Sequence, residues 1–385
     1  MINKIIEFLN SAGGWAFYSE LRQKDGTINQ IAKLIQQHPD KPIRELLTLQ
    51  KLQQQAAERL AQAQEFVFTP QGVEQSSSSE LAQYHAAKLA AYKSVADLCC
   101  GNGVDLHYLA AGKQQVWAVD LDADSLAAAR YNNRQFPQIS FQQQRAEDFQ
   151  QAVEAIFIDP DRRIGGRRLI EAEDLSPKLS EILDLQKITP NILVKLSPAM
   201  NYRKLEISLR HSWEFISEQG ELKEILLCLG DFATAGKRAV LLPQGHILSA
   251  TGQQVQVGGI SNYLYEPDTA IIRAGLVQDL GAQISAELVD PHLALLSSAE
   301  EKYSVFCKTY RVLAQMNFNR KQLQKYLRQQ QIGNLVIKTR GFSQSVEEFR
   351  RGLKLKGSNS ALLFILRIGA GHQIIFAELQ QKKMS

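Results

Sequence analysis

The sequence lacks the long apolar runs of a membrane protein. No stretch of about eighteen apolar residues occurs, so we expect no membrane-spanning helix. The first ten residues include Lys4 and Glu7, which leaves no room there for the apolar core of a signal peptide. Only four cysteines are present, at positions 99, 100, 228 and 307, and their spacing fits neither a disulfide framework nor a zinc site. We therefore expect a cytoplasmic protein with reduced thiols, no membrane partner and no metal.

The composition is that of an ordinary globular protein. The 385 residues are 44% hydrophobic and 22% charged, which is enough apolar material for two to four domains. Apolar residues at helical spacing predict helices through residues 1–65. The spacing Ser77-x-x-Glu80 predicts a capping box. The helix that it opens carries His85, which we expect to be structural.

A strand, glycine turn, helix and strand pattern occupies residues 94–122. Val95–Cys99 is a short apolar run, typical of a buried parallel strand. Gly101 and Gly103 then bracket a tight turn, where missing side chains let backbone amides approach a ligand. The second strand ends at Asp120, and ligands of open α/β sheets bind outside the carboxyl ends of the strands. An acid there suits a ribose diol, so the pattern predicts a nucleoside-binding βαβ unit.

The third glycine of the dinucleotide fingerprint is missing. Leu106 takes its place, which argues against a bound pyrophosphate. The run Asp97-x-x-x-Gly101-x-Gly103 instead resembles motif I of the class I S-adenosylmethionine-dependent methyltransferases. Asp120-Leu121-Asp122 is similar to the acidic motif of that family. The alternative is a generic Rossmann-like turn that holds another nucleotide or none.

The resemblance implies a Rossmann-like, seven-stranded α/β sheet that binds S-adenosylmethionine. In this family an acid after the third strand commonly accepts a hydrogen bond from the adenine amino group. Glu147 and Asp148 are both candidates, and helix-start acids favoured by the dipole are the alternative. The residues that the resemblance assigns to the methyl donor are Asp97, Cys99, Gly101, Gly103, Asp105, Asp120, Leu121 and Asp148.

The fourth strand, Ala155–Ile158, ends in Asp159-Pro160-Asp161-Arg162-Arg163. In the family this position faces the transferable methyl group, and many base methyltransferases carry Asn, Asp or Ser, then Pro-Pro-aromatic. Asp159-Pro160 matches, but an acid and an arginine replace the second proline and the aromatic residue. We take Asp159, Pro160 and Arg163 as candidate catalytic residues.

A covalent mechanism is not expected. The related pattern Asp-Pro-Pro-Arg occurs in uracil C5 methyltransferases, which need a nucleophilic cysteine after the fifth strand. Here the fifth strand, Ile192–Leu196, runs into Ser197-Pro198-Ala199. No thiol follows that strand, so the C5 chemistry lacks its nucleophile.

Four arginines cluster on the loop after the fourth strand. Guanidinium groups bind phosphates bidentately, so Arg162, Arg167 and Arg168 are candidate RNA contacts beside Arg163. An internal salt-bridge network with nearby acids is an equal alternative; those acids are Glu171, Glu173 and Asp174.

Acidic residues are scarce near the C-terminal end. Between Arg320 and Ile368 eleven Lys or Arg stand against two Glu, a local charge of +9 in a chain whose net charge is +4. Such an excess favours a polyanionic partner over a merely solubilising face. The candidate RNA contacts in this small module are Lys338, Arg340, Lys354 and Lys356.

These motifs together closely resemble one bacterial family, the class I methyltransferases with a C-terminal THUMP-like domain. The matching segments are DLCCGNGVD at 97–105, AVDLD at 118–122, DPDRRIGGRR at 159–168, VKLSP at 194–198, YEPD at 265–268 and the run from Thr339 to Gly357. The resemblance covers most of the chain from about residue 66 onward. Together with the helical pattern before it, we expect a helical N-terminal cap at 1–65, a methyltransferase domain at 66–252, a small α+β (ferredoxin-like) module at 253–318 and a THUMP-like basic domain at 319–385.

THUMP domains accompany RNA-modifying enzymes, chiefly those of tRNA. The resemblance therefore implies methylation of a structured RNA, tRNA or rRNA, with S-adenosylmethionine as methyl donor. Two alternatives stay open. One is a small-molecule or protein methyltransferase whose basic tail is an interaction module, and the other is a non-catalytic donor-binding RNA protein.

Overall fold

The computed structural model describes residues 1–23, 28–161, 163–164, 167–168 and 174–380. The chain divides into two units. The first comprises Met1–Trp213 and Glu224–Thr234, and the second comprises Glu214–Lys223 and Ala235–Ser385.

The helices of the first unit are α1 (Ile2–Asn10), α2 (Gly14–Arg22), α3 (Ile28–Gln37), α4 (Ile43–Ala57), α5 (Pro70–Gln75), α6 (Ser79–Lys88), α7 (Val104–Leu109), α8 (Ala123–Asn132) and α9 (Leu179–Asp184). Its strands are β1 (Ser94–Leu98), β2 (Gln115–Asp120), β3 (Ile139–Gln143), β4 (Ala155–Ile158), β5 (Arg163–Ile164), β6 (Arg167–Arg168) and β7 (Ile192–Leu196). The hairpin strands β8 (His211–Glu218) and β9 (Glu221–Leu229) contribute residues to both units.

The predicted Rossmann-like α/β sheet is confirmed, but it has nine strands where seven were expected; seven of them follow in the order β8-β9-β7-β4-β1-β2-β3. Strands β3, β2, β1, β4 and β7 run parallel, and β9 is antiparallel to β7. Strands β1, β4 and β7 are buried almost throughout, as expected for a parallel sheet covered on both faces. The apolar runs at 221–229 and 237–242 predict two strands that pair as the antiparallel edge of the sheet, but β8 lies between these two strands. Sequence reasoning missed β8 because its buried residues include the polar Ser212, Glu214 and Ser217, which leave no apolar run.

The predicted N-terminal helices are present as α1 to α4. Their apolar residues form one core cluster with α8, in which Ile5, Tyr18 and Leu46 meet Ala128 and Tyr131. The helices of the cap therefore pack on the helix that follows the second strand of the nucleoside-binding unit.

The second unit contains the strands β10 (Lys237–Leu242), β11 (His246–Ser249), β12 (Tyr263–Pro267), β13 (Glu287–Leu288), β14 (Leu296–Ser298), β15 (Cys307–Asn317), β16 (Ile332–Arg340), β17 (Asn359–Ile368) and β18 (Gly371–Leu379). Its helices are α10 (Thr269–Ala274), α11 (Val277–Ile284), α12 (Arg320–Gln329) and α13 (Val346–Arg351). Strand β10 pairs with β11 and lies beside β8.

A seven-stranded sheet of order β13-β14-β12-β15-β18-β17-β16 forms the body of the second unit. Its edge strand β16 is parallel to β17, and β17 is antiparallel to β18. Leu323 and Leu327 of α12 and Phe349 of α13 pack in one cluster with Leu335 and Phe376 of the sheet. The sequence predicts a basic amphipathic helix at 320–328, a strand at 335–341 and a hairpin about 369–371. All three are confirmed, by α12, β16 and the β17–β18 pair.

Candidate active site

The glycine turn after β1 is open on one side and packed on the other. Gly101 and Gly103 have φ values of +54° and +73°, a region that glycine adopts without strain. A Cβ added to Gly101 would meet no atom within 4 Å, whereas one on Gly103 would come within 2.5 Å of Asn133 Nδ2. Gly101 thus borders open space at the strand ends, and Gly103 permits close packing on α8.

Asp120 closes this turn from the end of β2. Its Oδ2 accepts a hydrogen bond from the Gly101 amide at 2.8 Å, and its Oδ1 accepts one from the Asp122 amide at 2.9 Å. A carboxylate accepts about four hydrogen bonds, so Asp120 keeps capacity for a ribose. Burial raises the pKa of Asp120. The next acid, Asp122, caps α8 through Ser125 N at 2.8 Å, and Leu121 between them is 64% exposed.

Asp97 is a buried acid with an unused acceptor. It is 1% exposed on β1, and its Oδ2 has no hydrogen-bond partner among the described residues. Burial, together with the carboxylates of Asp105, Asp159 and Asp120, raises the pKa of Asp97 well above its usual range. An ammonium group would satisfy this oxygen and favour the ionised form. The residues present therefore fit a cationic amino-acid moiety, such as that of S-adenosylmethionine.

Asp105 lies in a buried network beneath the turn. Its Oδ1 contacts His85 Nδ1 at 2.7 Å, its Oδ2 accepts a hydrogen bond from Ser77 Oγ at 2.8 Å, and His85 Nε2 contacts Glu224 Oε1 at 2.6 Å. Burial alone lowers the pKa of His85, but Glu224 and Asp105 outweigh it and raise the pKa to about 10. The imidazolium is fully buried, in agreement with the structural role expected for it. Ser78, not Ser77, is the cap of α6, so the predicted capping box is wrong.

Asp159 is paired with a lysine that sequence reasoning missed. The backbone N–H of Asp159 donates to Leu98 O at 3.2 Å, which places the acid beside the glycine turn. Lys195 Nζ donates to Asp159 Oδ2 at 2.6 Å and to Ser77 Oγ at 3.1 Å. The available signal was a lysine inside the otherwise apolar strand Ile192–Leu196.

The neighbouring acid Asp161 is tied to α5. It accepts hydrogen bonds from Gln75 Nε2 at 3.0 Å and from Gln71 Nε2 at 3.4 Å. Its backbone pairs with Ser176 in an isolated bridge. Pro160 between the two acids is buried. Because Asp161 contacts α5 and Asp159 is hydrogen-bonded to Leu98, Asp159 is the acid of this loop that borders the glycine turn.

The arginine cluster is described only in part. Arg163–Ile164 and Arg167–Arg168 form a two-stranded antiparallel hairpin. Arg162 lies outside the described residues, as do Glu171 and Glu173 of the alternative salt-bridge network.

The thiols of the turn are not nucleophiles. Cys99 has a φ of +62° in the turn itself. Burial and the carboxylates of Asp120 and Asp97 raise the pKa of both Cys99 and Cys100 well above the usual range. Since the thiolate is the reactive form, covalent catalysis through either cysteine is disfavoured.

The two acids after β3 differ in their contacts. Glu147 forms an ion pair with Arg145, whereas Asp148 is exposed and its carboxylate makes no hydrogen bond within the described part of the chain. Asp148 is therefore the more accessible acceptor of the pair.

Of the four candidate RNA contacts in the C-terminal module, two form ion pairs with an acid. Lys338 and Arg340 of β16 both pair with Glu266 of β12, to which Tyr310 Oη also donates at 2.9 Å. Burial opposes ionisation of Glu266, but Lys338 and Tyr310 outweigh it and lower its pKa. Lys354 and Lys356 are exposed.

Exposed cations gather on the helical side of this sheet. Gln324 of α12 exchanges two hydrogen bonds with the backbone of Lys354, at 2.8 and 2.9 Å, and the guanidinium of Arg320 lies 5.3 Å from the ring centroid of Phe349. These contacts hold α12, α13 and residues 353–356 together. The basic face that they form carries Lys321, Lys325, Arg328, Arg350, Arg351, Lys354 and Lys356, which are exposed and have no ion-pair partner among residues 174–380.

None of the helices in the described residues is long and apolar enough to cross a bilayer. Over the same ranges, no three His, Cys, Asp or Glu side chains gather as a metal site would require.

Two known families match parts of this chain. A methyltransferase domain family matches residues 95–158, which include the glycine turn, Asp120 and the strand before Asp159. A THUMP domain-like family matches residues 307–378, which include the basic face.

The full-length comparisons agree with these matches. Two uncharacterized S-adenosylmethionine-dependent methyltransferases of Mycobacterium tuberculosis, from strains CDC 1551 / Oshkosh and ATCC 25618 / H37Rv, are each 28% identical over 313 residues, which is 80% of this chain and 86% of theirs. A crystal structure of a protein from Porphyromonas gingivalis W83 assigned as a methyltransferase shares the fold, with a TM-score of 0.73 at 19% identity over 99% of this chain and 97% of that one. The chain is an S-adenosylmethionine-dependent methyltransferase that combines the class I methyltransferase fold with a C-terminal THUMP-like domain.

Proposed function

We propose that this methyltransferase modifies a structured RNA, tRNA or rRNA, in the cytoplasm. The observation that carries the proposal is the basic face on the THUMP-like domain, because its seven exposed cations lack acidic partners among residues 174–380. Phosphate neutralisation by such cations supplies most sequence-independent affinity for nucleic acid. Free thiols at all four cysteines support a reducing compartment.

The donor site that we propose lies at the carboxyl ends of β1, β2 and β4. Asp120 would take the ribose hydroxyls, Gly101 would allow close approach of the backbone, and the unused oxygen of Asp97 would take the ammonium. Leu121 and Asp148, both exposed, would contact the adenine. Bound S-adenosylmethionine supplies an electrophilic methyl group on a sulfonium.

Asp159 is the residue that we assign to the acceptor. Its side chain keeps 22% exposure beside the glycine turn, so a nucleotide can reach its carboxylate. A carboxylate in this place can accept a hydrogen bond from the attacking group or take its proton as the new bond to carbon forms. Asp161 and Arg162 replace the Pro-aromatic pair of base methyltransferases, so we assign no stacking residue.

The test of RNA binding compares two sets of four lysines. Replacing Lys321, Lys325, Lys354 and Lys356 with Ala removes four free cations from the basic face. Each lost phosphate contact reduces the slope of log affinity against log salt by about 0.7 to 0.9, so we expect the slope to flatten by about three and tRNA binding to weaken.

The matched control removes the same charge elsewhere. Lys4, Lys187, Lys223 and Lys302 are each paired with a surface carboxylate, and their replacement with Ala should leave the salt slope unchanged. If both quadruple variants change the slope equally, net charge rather than this face binds the RNA. If label from S-adenosylmethionine is transferred to a protein or a small molecule and not to RNA, the protein is instead a protein or small-molecule methyltransferase.

A further inference from the structure

Lys195 is a buried cation that the roles assigned so far leave unused. It lies on β7 beside β4 and is 6% exposed. An ammonium group in such a place is costly unless it is both paired and hydrogen-bonded. Its Nζ meets that requirement through Asp159 at 2.6 Å and Ser77 at 3.1 Å.

The two members of this ion pair differ in access to solvent. The Asp159 side chain is 22% exposed and that of Lys195 is 7% exposed. An acceptor can therefore reach the carboxylate, while the ammonium holds the carboxylate from the protein side.

The ammonium is itself held in place by a hydrogen-bond chain. Ser77, which accepts from Lys195, donates to Asp105 at 2.8 Å. Asp105 contacts His85 at 2.7 Å, and His85 contacts Glu224 at 2.6 Å. This series of hydrogen bonds runs from the partly exposed Asp159 to the buried side chains of His85 and Glu224 beneath the turn. It leaves the Lys195 ammonium little freedom to move.

We infer that Lys195 is a positioning residue, which fixes the Asp159 carboxylate for the acceptor in methyl transfer. The inference rests on the proposed function, because it assigns Asp159 to the acceptor. Charge-assisted hydrogen bonds are short and directional, and small misplacement of a reacting group costs about 100-fold in rate. Lys195 would act through Asp159 alone and contact neither donor nor acceptor.

The test is methyl transfer to RNA with labelled donor at saturating donor and RNA. We expect Lys195→Met to lower kcat about 100-fold with unchanged donor affinity by calorimetry, and Lys195→Arg to recover part of the loss because it keeps a cation. An unchanged kcat in Lys195→Met, or a fall explained entirely by weaker donor binding, would overturn the inference.

A double-mutant cycle separates positioning from a purely structural role. The double variant Asp159→Asn, Lys195→Met leaves neither partner as an unpaired buried charge, so it should remain folded and its kcat should equal that of Asp159→Asn alone. An additive loss in the double variant would show that Lys195 acts independently of Asp159 and would also overturn the inference. A wild-type enzyme that methylates no RNA would instead overturn the proposed function, and the inference with it.

Discussion

Gly103 lies directly against Asn133, whose Nδ2 donates a hydrogen bond to the Gly103 carbonyl at 3.0 Å. A Cβ on Gly103 would come within 2.5 Å of that nitrogen and 3.0 Å of the Ala129 backbone. The motif I turn is therefore fixed to α8, the helix on which the N-terminal helices pack. This contact links the cap to the shape of the donor site.

Gly103→Ala should destabilise the fold through this contact. Gly112 is the matched control, because its φ of +72° is nearly the same but a Cβ there would meet nothing within 4 Å. We expect Gly112→Ala to cost about 1 kcal/mol from the left-handed conformation alone, and Gly103→Ala to cost distinctly more. Urea unfolding measures both, and equal losses would contradict the packing role.

Donor affinity should depend on Asp120 and not on Asp122. Asp120→Asn removes the charge that we assign to the ribose, and hydrogen bonds to charged groups contribute about 1.5–3 kcal/mol. Asp122→Asn should bind S-adenosylmethionine as the wild type does, since asparagine caps a helix as well as aspartate. Calorimetry on the two variants decides the assignment. Equal affinities would exclude Asp120 as the ribose acceptor.

Binding of the donor should release a proton from Asp97. Burial and neighbouring carboxylates raise its pKa, so below that raised pKa the free protein holds a proton that an arriving ammonium displaces. Affinity should therefore rise with pH over the range in which Asp97 is protonated, and the binding heat should depend on the ionisation enthalpy of the buffer. Asp97→Asn should bind more weakly and lose the buffer dependence. A wild-type binding heat that is the same in every buffer would contradict this account.

The buried imidazolium of His85 predicts a pH-dependent stability. Its pKa in the fold is about 10, above the usual value of about 6.5. Ionised His85 therefore stabilises the fold fully below about pH 6.5, and this stabilisation is lost as pH rises toward 10. Over that range the free energy of unfolding should fall by about 1.4 kcal/mol per pH unit. His85→Gln should lack that slope in denaturant unfolding. Parallel stability curves for the two proteins would contradict an ionised His85.

The sequence predicted local structure well and side-chain pairing poorly. The turn at Gly101, the acid at the end of β2 and the basic helix α12 depend on neighbouring residues, so short patterns were enough. Lys338 is 72 residues from Glu266, and nothing within β16 indicates that an acid of β12 neutralises it.

Buried charge was the second source of error. Lys195 and Glu214 lie in strands whose remaining residues are mostly buried. Each is paired with a residue outside its own strand: Asp159 follows β4 and Arg238 lies on β10. Ser77 matched a helix-start pattern, but it is used by Lys195 and Asp105 instead. Such pairings depend on the tertiary fold, so local spacing does not reveal them.

The most direct test of the account is mass spectrometry of RNA nucleosides from a strain that lacks the gene. We predict that one methylated nucleoside disappears from tRNA or rRNA, and that the wild-type gene restores it. The gene carrying Asp159→Asn should restore it poorly although that protein still binds S-adenosylmethionine. An unchanged set of RNA nucleosides in the deletion strain would contradict the central claim that this methyltransferase acts on RNA.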